Sequence, residues 1–242
     1  MALEGKYLYC IISARGGKKF EIKGIEGKMV YAISQGKLSV VVSDSEIKEY
    51  LATRENMIAH QKVLEEILKK YDLLPVSFGT VATSSEEVKQ KILKPKAKEF
   101  QDLLKKIEGK IELGLKALWL DMNSVFQEIA ESSQIIGRLK KSKNLGYQNR
   151  ISAGELVGKL LEEKRELEKE EILKPLEKIA DDLKENKLLG ENMILNTAFL
   201  VGRSREKDFD KKVNELGEKL GKRIKFMYVG PLPPFNFIKL SL

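Results

Sequence analysis

Apolar residues along the chain change their spacing several times, and these changes predict strands and helices in alternation. Tyr7 to Ala14 is a continuous apolar run rich in β-branched and aromatic residues, which is typical of a buried strand. Two more apolar runs, Met29 to Ser34 and Leu38 to Val42, flank Gln35-Gly36-Lys37, where Gly36 can adopt positive φ. The three runs therefore predict a first strand followed by a β-hairpin.

The polar segment Ser43-Asp44-Ser45 predicts the start of a helix that extends from about residue 46 to residue 71. Six apolar residues of this helix fall close to helical spacing and are expected to face the core: Ile47, Leu51, Ile58, Leu64, Ile67 and Leu68. Residues 73–79 predict a short strand. Pro75 places that strand at a sheet edge or at a strand start, because proline lacks the N–H of a central ladder.

Residues 83–120 predict a helix followed by a half-buried strand. Thr83-Ser84-Ser85-Glu86 has the pattern of a capping box, in which a hydroxyl and a carboxylate three residues apart satisfy the first helical turn. We expect this helix to reach about residue 107, with a break near Pro95, and to end at Gly109. Residues 110–120 alternate apolar with polar residues, which predicts a strand with one buried face.

A long, charged segment dominates the second half of the chain. After a predicted helix from Met122 to about Leu139, residues 152–187 carry leucines at helical spacing among many Glu and Lys residues. This pattern predicts one long helix, in a projecting helical hairpin or a short coiled coil, which Pro175 kinks or breaks. A strand, a helix and a last strand are predicted at residues 193–201, 206–220 and 224–229.

These elements predict an α+β protein of two small domains, because helices and antiparallel hairpins occur in both halves. We expect residues 1–109 to form an N-terminal α+β domain and residues 110–242 a C-terminal one, each with a ferredoxin-like antiparallel sheet. The C-terminal domain would carry the long charged, coiled-coil-like helix at about 152–187 and a Pro-rich tail.

The chain has one Cys and one His, and these counts narrow its chemistry. One Cys forbids an internal disulfide, which favours a reducing, intracellular setting, and one His with one Cys cannot build a zinc finger or a multi-His centre. A Ser-His-Asp or Cys-His enzyme would depend on His60 alone. These counts leave no credible catalytic constellation, and we assign no catalytic, cofactor-binding or metal-ligating residue, although composition still allows Mg²⁺ or Ca²⁺ sites built from oxygen ligands alone.

Both His60 and Cys10 are predicted to be structural. His60 flanks the apolar stripe of the helix predicted at 46–71, which favours a packing residue hydrogen-bonded to the backbone. Cys10 lies in the middle of the first strand, where it would act as a small buried hydrophobe. Acidic pairs of the long helix, such as Glu162-Glu163, are predicted to form a solvated face beside lysines.

The formal net charge of +8 indicates either an anionic partner or Lys-rich solvated helices. Residues 138–150 carry five basic residues and no acidic one, so an RNA-binding α+β protein is the alternative function, although no strand shows the aromatic RNP1 signature. The turn Arg15 to Lys19 could hold a phosphate, but it lacks Walker A spacing. No apolar run reaches the length of a membrane span. We expect neither nucleic acid nor membrane as a partner.

The C-terminal sequence VGPLPPFNF carries the most information. Three prolines in four positions hold the backbone extended, and Phe235 and Phe237 follow on this stiff segment. The segment either crosses and seals the core or offers a preformed docking edge to a partner. If it docks a partner, six residues are the interaction candidates: Tyr228, Pro231, Pro233, Pro234, Phe235 and Phe237.

The segment Phe226 to Ile238, FMYVGPLPPFNFI, resembles the C-terminal signature of the GvpF/GvpL family of gas vesicle proteins. Tyr7 to Ile12 is similar to the first strand of that family. His60 to Leu64 and Leu74 to Val81 resemble its His-x-x-Val-Leu helix and its Pro-x-x-Phe-Gly-Thr-Val segment, and Asn196 to Val201 its Asn-x-Ala-aromatic-Leu-Val strand. These matches occur in the family order and cover nearly the whole chain.

The chain departs from the family pattern at three places. Leu232 stands where the family often has Trp, Phe235 where it often has Tyr, and Ser77 where a basic residue is common. The resemblance implies two α+β domains and a minor gas vesicle protein without enzymatic activity. Such a protein would bind the small hydrophobic shell protein during nucleation, prevent its aggregation, contact other gas vesicle proteins, and reside at the gas vesicle in the cytoplasm.

Overall fold

The computed structural model describes residues 3–132, 147–240 and 242, and it describes no side chains for residues 147–153. The chain falls into two units: Met1–Glu112 with Gly230–Leu242, and Leu113–Val229. The two antiparallel sheets of this mixed α/β structure confirm the predicted combination of helices and antiparallel strands.

The N-terminal part of the chain begins with four strands, and its helices follow. In chain order its elements are β1 (Glu4–Ser13), β2 (Lys19–Lys23), β3 (Met29–Gln35), β4 (Leu38–Glu46), α1 (Arg54–Leu68), β5 (Leu73–Pro75), β6 (Val81–Ala82), α2 (Ser85–Glu87) and α3 (Ala97–Lys106). A short 3-10 turn spans Ile25–Gly27, and a π-helical segment spans Val88–Leu93. Gly36 has a φ of 63° in the β3–β4 turn, as the predicted hairpin requires.

Strand β1 lies in the interior of the first sheet, whose order is β2-β3-β4-β1-β5, with β6 also paired to β1. Both faces of β1 are covered. Leu8 and Ile11 pack with Phe100 of α3, whereas Tyr7 and Tyr9 pack on the opposite face with residues of α1. The predicted buried strand is therefore confirmed, and two covered faces explain why its sequence is continuously apolar.

The helix predicted from residue 46 to residue 71 is wrong at its N-terminal end. Strand β4 continues to Glu46 because its pairing with β1 extends to the pair Glu4 and Glu46. The helix α1 starts at Arg54, where the Thr53 hydroxyl accepts a hydrogen bond from the Asn56 N–H. Three residues expected in the core are consequently exposed: Ile47 at 40%, Leu51 at 70% and Ile58 at 54%.

The predicted capping box occurs one residue later than its sequence pattern suggested. The Ser84 hydroxyl accepts from the Glu87 N–H at 3.1 Å, and the Glu87 carboxylate accepts from the Thr83 N–H at 2.7 Å. The predicted break near Pro95 is confirmed, because α3 begins only at Ala97.

The second sheet is built from the later strands, in the order β10-β7-β9-β8. Its elements in chain order are β7 (Lys110–Trp119), α4 (Met122–Ser132), α5 (Tyr147–Glu177), β8 (Asp182–Glu185), β9 (Met193–Gly202), α6 (Glu206–Leu220) and β10 (Ile224–Leu232). The strand, helix and strand predicted after residue 193 are confirmed. The predicted end of the helix after Met122, residues 133–139, lies outside the described residues.

The long helix differs from its predicted range of 152–187 at both ends. Helix α5 spans Tyr147–Glu177, with Pro175 in its last turn. The Leu176 carbonyl accepts from the N–H groups of Ile179 and Ala180 as the helix ends. Residues 182–185 form strand β8 instead, because they pair with β9 in the register Asp182 to Leu200.

The C-terminal residues Gly230–Leu242 group with the first unit in the structure, whereas the sequence placed them in the domain 110–242. This difference has a local cause, since Phe237 and Ile238 are buried and Ile238 belongs to the same cluster as Leu8 and Phe100. The division of the chain into the domains 1–109 and 110–242 stays a prediction.

Candidate interaction site

The C-terminal segment 233–240 seals part of the core of the first unit and exposes one aromatic ring. Pro233 and Pro234 are buried, and Phe237 is 9% exposed. Phe235 lies between them in sequence and is 42% exposed. The segment therefore combines features of both sequence interpretations, because most of it packs inward while Phe235 faces solvent.

Hydrogen bonds fix the shape of this segment. The Pro234 carbonyl accepts from the N–H groups of Phe237 at 3.2 Å and Ile238 at 3.1 Å, which closes a turn. Inside that turn, the two carboxylate oxygens of Glu112 accept from the Asn236 N–H at 2.8 Å and the Asn236 side-chain amide at 2.6 Å. Glu112 is 2% exposed, so these two bonds satisfy a buried carboxylate.

Burial raises the pKa of the Glu112 carboxyl, and its two hydrogen bonds with Asn236 oppose this rise. No local pattern predicts this contact, because residues 112 and 236 are distant in the chain and Glu112 occupies a position in an alternating strand. The latch is defined here as the pair Glu112 and Asn236.

An apolar groove of about 660 Å³ lies beside the latch, within the first unit. Helix α1 forms one wall with Met57, and the C-terminal segment forms another with Phe235 and Leu240. The remaining lining residues are His60, Gln61, Pro75, Val76, Ser77, Phe78, Ile238 and Lys239. We call this feature the α1–C-terminal groove.

His60 belongs to the buried floor of the groove, at 5% exposure. The Tyr7 hydroxyl accepts from the Gly79 N–H at 2.9 Å and is also hydrogen-bonded to His60 Nδ1 at 3.1 Å. The rings of Tyr7 and Phe78 each lie edge-on to the imidazole, with centroids 5.7 Å away. His60 thus connects α1, β1 and the loop after β5.

Burial lowers the pKa of His60 to about 4, and its hydrogen bond with the Val76 backbone opposes the shift. The imidazole is therefore neutral at pH 7. The predicted role of His60 as a packing residue is confirmed. The structure also places Cys10 fully inside the core, as predicted, and burial raises the pKa of its thiol.

Five of the six interaction candidates are not among the residues that line the groove, and Tyr228 and Pro231 belong to strand β10. Tyr228 is in the second unit, where its hydroxyl donates to Asp210 at 2.5 Å and its ring stacks on Phe209 at 6.1 Å. Pro231 is exposed and follows a cis peptide bond at Gly230. Of the six, only Phe235 lines the α1–C-terminal groove, and the roles of all six stay predictions.

Comparison with known proteins places this architecture in a family. The family model of the gas vesicle synthesis protein GvpL/GvpF matches residues 5–239, which is nearly the entire chain. The chain belongs to the GvpL/GvpF family. The resemblance carried by the C-terminal signature and the earlier motifs is thereby confirmed.

Proteins named gas vesicle protein F are similar to this family member over their full length. The protein from Nostoc sp. strain PCC 7120 is 28% identical, with 98% of this chain and 99% of the relative covered. Gas vesicle protein F1 from Halobacterium salinarum is 25% identical, with 99% and 95% covered. GvpL/GvpF proteins form a structural and assembly family rather than an enzyme family, as the resemblance implied.

Crystal structures of GvpF proteins share the fold. The structure of GvpF from Anabaena sp. PCC7120 has a TM-score of 0.90 and 27% identity, and covers 99% of this chain and 100% of its own. GvpF from Microcystis aeruginosa has a TM-score of 0.82 and 26% identity, with 98% and 99% covered. Both sheets and their order are thus part of a fold that solved family structures share.

A charged cluster in the second unit of this GvpL/GvpF protein was missed by the sequence analysis. Glu168 of α5 is 8% exposed and accepts from Trp119 Nε1 at 2.6 Å and from Arg223 at 2.8 Å. Arg165 stacks over the Trp119 ring at 5.5 Å. The charged residues of the long helix predict a solvated face. The lone Trp is the one feature of the sequence that indicates a buried hydrogen-bond partner for a residue such as Glu168.

The turn that could hold a phosphate does not form an evident binding site. The turn Arg15 to Lys19 is exposed, and Lys18 donates to the Tyr71 hydroxyl at 2.6 Å. Among the described residues there is no group of three His, Cys, Asp or Glu side chains that could hold a metal ion. Within the same part of the chain, every helix is too short or too polar to cross a membrane.

Replacing Asn236 with Ala tests the latch. We expect the free energy of unfolding to fall by about 1–2 kcal/mol, because the buried Glu112 carboxylate loses one of its two donors. Limited proteolysis should also remove residues from the C-terminus faster. Thermal and urea unfolding of the variant measure the first effect, and mass spectrometry of the digest measures the second.

Asn56→Ala is the matched control, because the Asn56 side chain donates to the Leu51 carbonyl at an exposed site. It should lose less stability and leave the proteolysis of the C-terminus unchanged. Equal digestion of Asn236→Ala and the original chain would show that the latch does not hold the segment.

Proposed function

We propose that this family member acts in gas vesicle assembly by binding the small hydrophobic shell protein and keeping it from aggregating. Membership in the GvpL/GvpF family supports a gas vesicle-associated role. Binding to the shell protein, action during nucleation and residence at gas vesicles in the cytoplasm are the proposed parts. Contacts with other gas vesicle proteins belong to the same proposal.

One observation carries this proposal, which is the apolar surface around the α1–C-terminal groove. Met57 is 44% exposed and Phe235 is 42% exposed, and both line the groove. Large apolar side chains gathered in a concave surface are typical of a site that binds an apolar partner. The shell protein, which is highly hydrophobic and must stay dispersed before assembly, would be such an apolar partner.

The six candidates take different parts in this proposal. Phe235 would contact the partner directly, while Phe237, Pro233 and Pro234 would hold the segment against the core. Tyr228 and Pro231 would contribute through strand β10, outside the groove lining. The charged helix α5 would provide solubility or a second contact, and the ferredoxin-like arrangement of the two sheets stays part of the proposal.

The alternative function, RNA binding through residues 138–150, gains no support from the family assignment. The side chains of that stretch lie outside the described residues.

Capture of the shell protein by the full-length chain is the experiment that tests the proposed function. The tagged chain is mixed with detergent-solubilised shell protein encoded in the same gas vesicle gene cluster, and the detergent is then diluted. We expect shell protein to co-purify and its light scattering to fall as the chain is added. An unrelated α+β protein of similar charge serves as the control.

If the tagged chain captures neither the shell protein nor any other gas vesicle protein, the binding proposal fails. If it captures the shell protein but leaves aggregation unchanged, binding stands and the protective role does not.

A further inference from the structure

We propose that the α1–C-terminal groove docks one amphipathic helix of the partner protein, whose apolar face carries an adjacent carboxylate. This inference rests on the proposed function and deepens it by naming the site and the chemistry of its occupant.

Two further apolar side chains near the start of α1 are open to solvent. Ile58, the residue after Met57, is 54% exposed, and Leu51, which precedes the helix, is 70% exposed. An occupant that reached either of them from the groove would bury further apolar area.

The floor offers side-chain surface rather than free backbone. The Val76 N–H donates to the Tyr9 carbonyl at 2.9 Å, and the Val76 backbone is also hydrogen-bonded to His60. The Gly79 N–H is taken by the Tyr7 hydroxyl. An occupant that needs backbone hydrogen bonds from this floor would find these groups already paired.

The adjacent sheet edge also disfavours an added strand. Strand β5 ends the order of the first sheet, but it is three residues long and closes with Pro75. Proline lacks the N–H that a new strand would use, and short edges resist strand addition. A helix satisfies its own backbone and inserts only side chains, so it fits this groove better than a strand.

The charge of the rim selects among helices. Among the described residues that line the groove, Lys239 is the one charged side chain, beside a neutral His60, and none is a carboxylate. No carboxylate among the described residues pairs with Lys239. A carboxylate next to the apolar face of the occupant would pair with this ammonium group, whereas a cationic helix would be repelled.

The latch acts here as a positioning device. Glu112 holds Asn236, the residue directly after Phe235, through two hydrogen bonds. Phe237 on the other side of Asn236 is buried. Phe235 is therefore presented from a fixed turn, which reduces the conformational entropy that binding must remove.

Direct binding measurements test the proposal. The probes are the solubilised shell protein and fluorescein-labelled peptides of about 20 residues that span its sequence, long enough for several helical turns. Met57→Glu and Phe235→Glu should each weaken the best-binding peptide about tenfold or more, because both insert a carboxylate into the apolar lining. Fluorescence anisotropy gives the affinities, and circular dichroism shows whether the bound peptide is helical.

Matched controls lie in the second unit. Leu167→Glu changes a side chain that is 70% exposed, and Phe126→Glu changes an aromatic ring that is 37% exposed. Both should bind the peptide as the original chain does. All variants are first compared by thermal unfolding, so that a change in binding is not confused with loss of fold.

Charge reversal at Lys239 tests the proposed pairing with a carboxylate of the occupant. Lys239→Glu should lower the affinity for the peptide about threefold to tenfold, a loss typical of one charge pair at an interface. A peptide whose carboxylates are replaced by Lys should bind this variant better than it binds the original chain. Lys178→Glu reverses an exposed charge in the second unit and should leave both affinities unchanged.

The outcomes separate this inference from the proposed function. If the original chain binds the shell protein and the groove variants bind it equally well, the groove is overturned while the proposed function stands. If the original chain binds nothing, both fail. If the original chain dimerises in analytical ultracentrifugation and Phe235→Glu abolishes the dimer, the occupant is a second copy and the proposal is overturned.

Discussion

Replacing Glu168 with Ala is expected to lower the free energy of unfolding by about 2–4 kcal/mol. The Glu168 carboxylate accepts from Trp119 Nε1 at 2.6 Å and pairs with Arg223 at 2.8 Å and Lys164 at 3.3 Å. Trp119 is 2% exposed, so its N–H would lose its partner in a buried setting.

The loss is kept below that of a fully buried ion pair because both cations retain a second partner. Arg223 also contacts Glu128 at 2.9 Å, and Lys164 contacts it at 2.7 Å. Glu128 is partly exposed, so water screens the remaining pairs. The cost therefore falls mainly on the orphaned indole N–H and on the packing around it.

Glu166→Ala is the matched control on the same helix. Glu166 pairs with Lys169 at 2.8 Å, but its side chain is 50% exposed. We expect this change to lower the free energy of unfolding by less than about 0.5 kcal/mol. Urea unfolding of both variants measures the difference, and equal losses would show that the Glu168 cluster adds nothing beyond an ordinary surface pair.

The stability of the protein should fall on acidification from about pH 6.5 to about pH 4, and His60 should account for on the order of 3 kcal/mol of it. Burial lowers the folded-state pKa of His60 to about 4, below the ordinary value of 6.5. Between these two values the unfolded chain binds more protons than the folded one. Stability is therefore fully present above the ordinary pKa and declines as the pH falls.

His60→Gln isolates this contribution. Glutamine can still form a hydrogen bond with the Tyr7 hydroxyl but does not titrate. The stability of the His60→Gln variant should therefore depend less steeply on pH in that interval. The hydroxyls of Tyr7 and Tyr9, which face His60, keep their charge state in that interval because both have raised pKa values.

Other groups titrate in the same interval, so the difference between the two pH profiles is the quantity to measure. Glu112 acts with the opposite sign, because its raised pKa favours the folded state on acidification. That effect is common to both proteins and cancels in the difference. Parallel profiles for His60→Gln and the original chain would refute the assignment.

The family itself was predictable from the sequence because its motifs are local. The segment FMYVGPLPPFNFI and the Phe-Gly-Thr-Val stretch are short runs whose order along the chain needs no folding to be recognised. The two uses of the C-terminal segment could not be separated in this way. Only the structure shows that Phe237 is buried while Phe235 is 42% exposed.

Elements with a strong local pattern were predicted correctly. The run Tyr7 to Ala14, the hairpin at Gly36, and the strand and helix after residue 193 each have a period or a turn residue that few competing conformations share. These segments bury the same side chains whatever their neighbours are. Local sequence therefore determined them.

Tertiary contacts decided the remainder. Pairing with β1 keeps residues 43–46 extended, and pairing with β9 turns residues 182–185 into a strand, although both stretches look helical by themselves. Glu112 meets Asn236 and Glu168 meets Trp119 only after distant segments fold together. From sequence alone a carboxylate is expected to be exposed to solvent. It can be buried only where the fold brings hydrogen-bond donors to it.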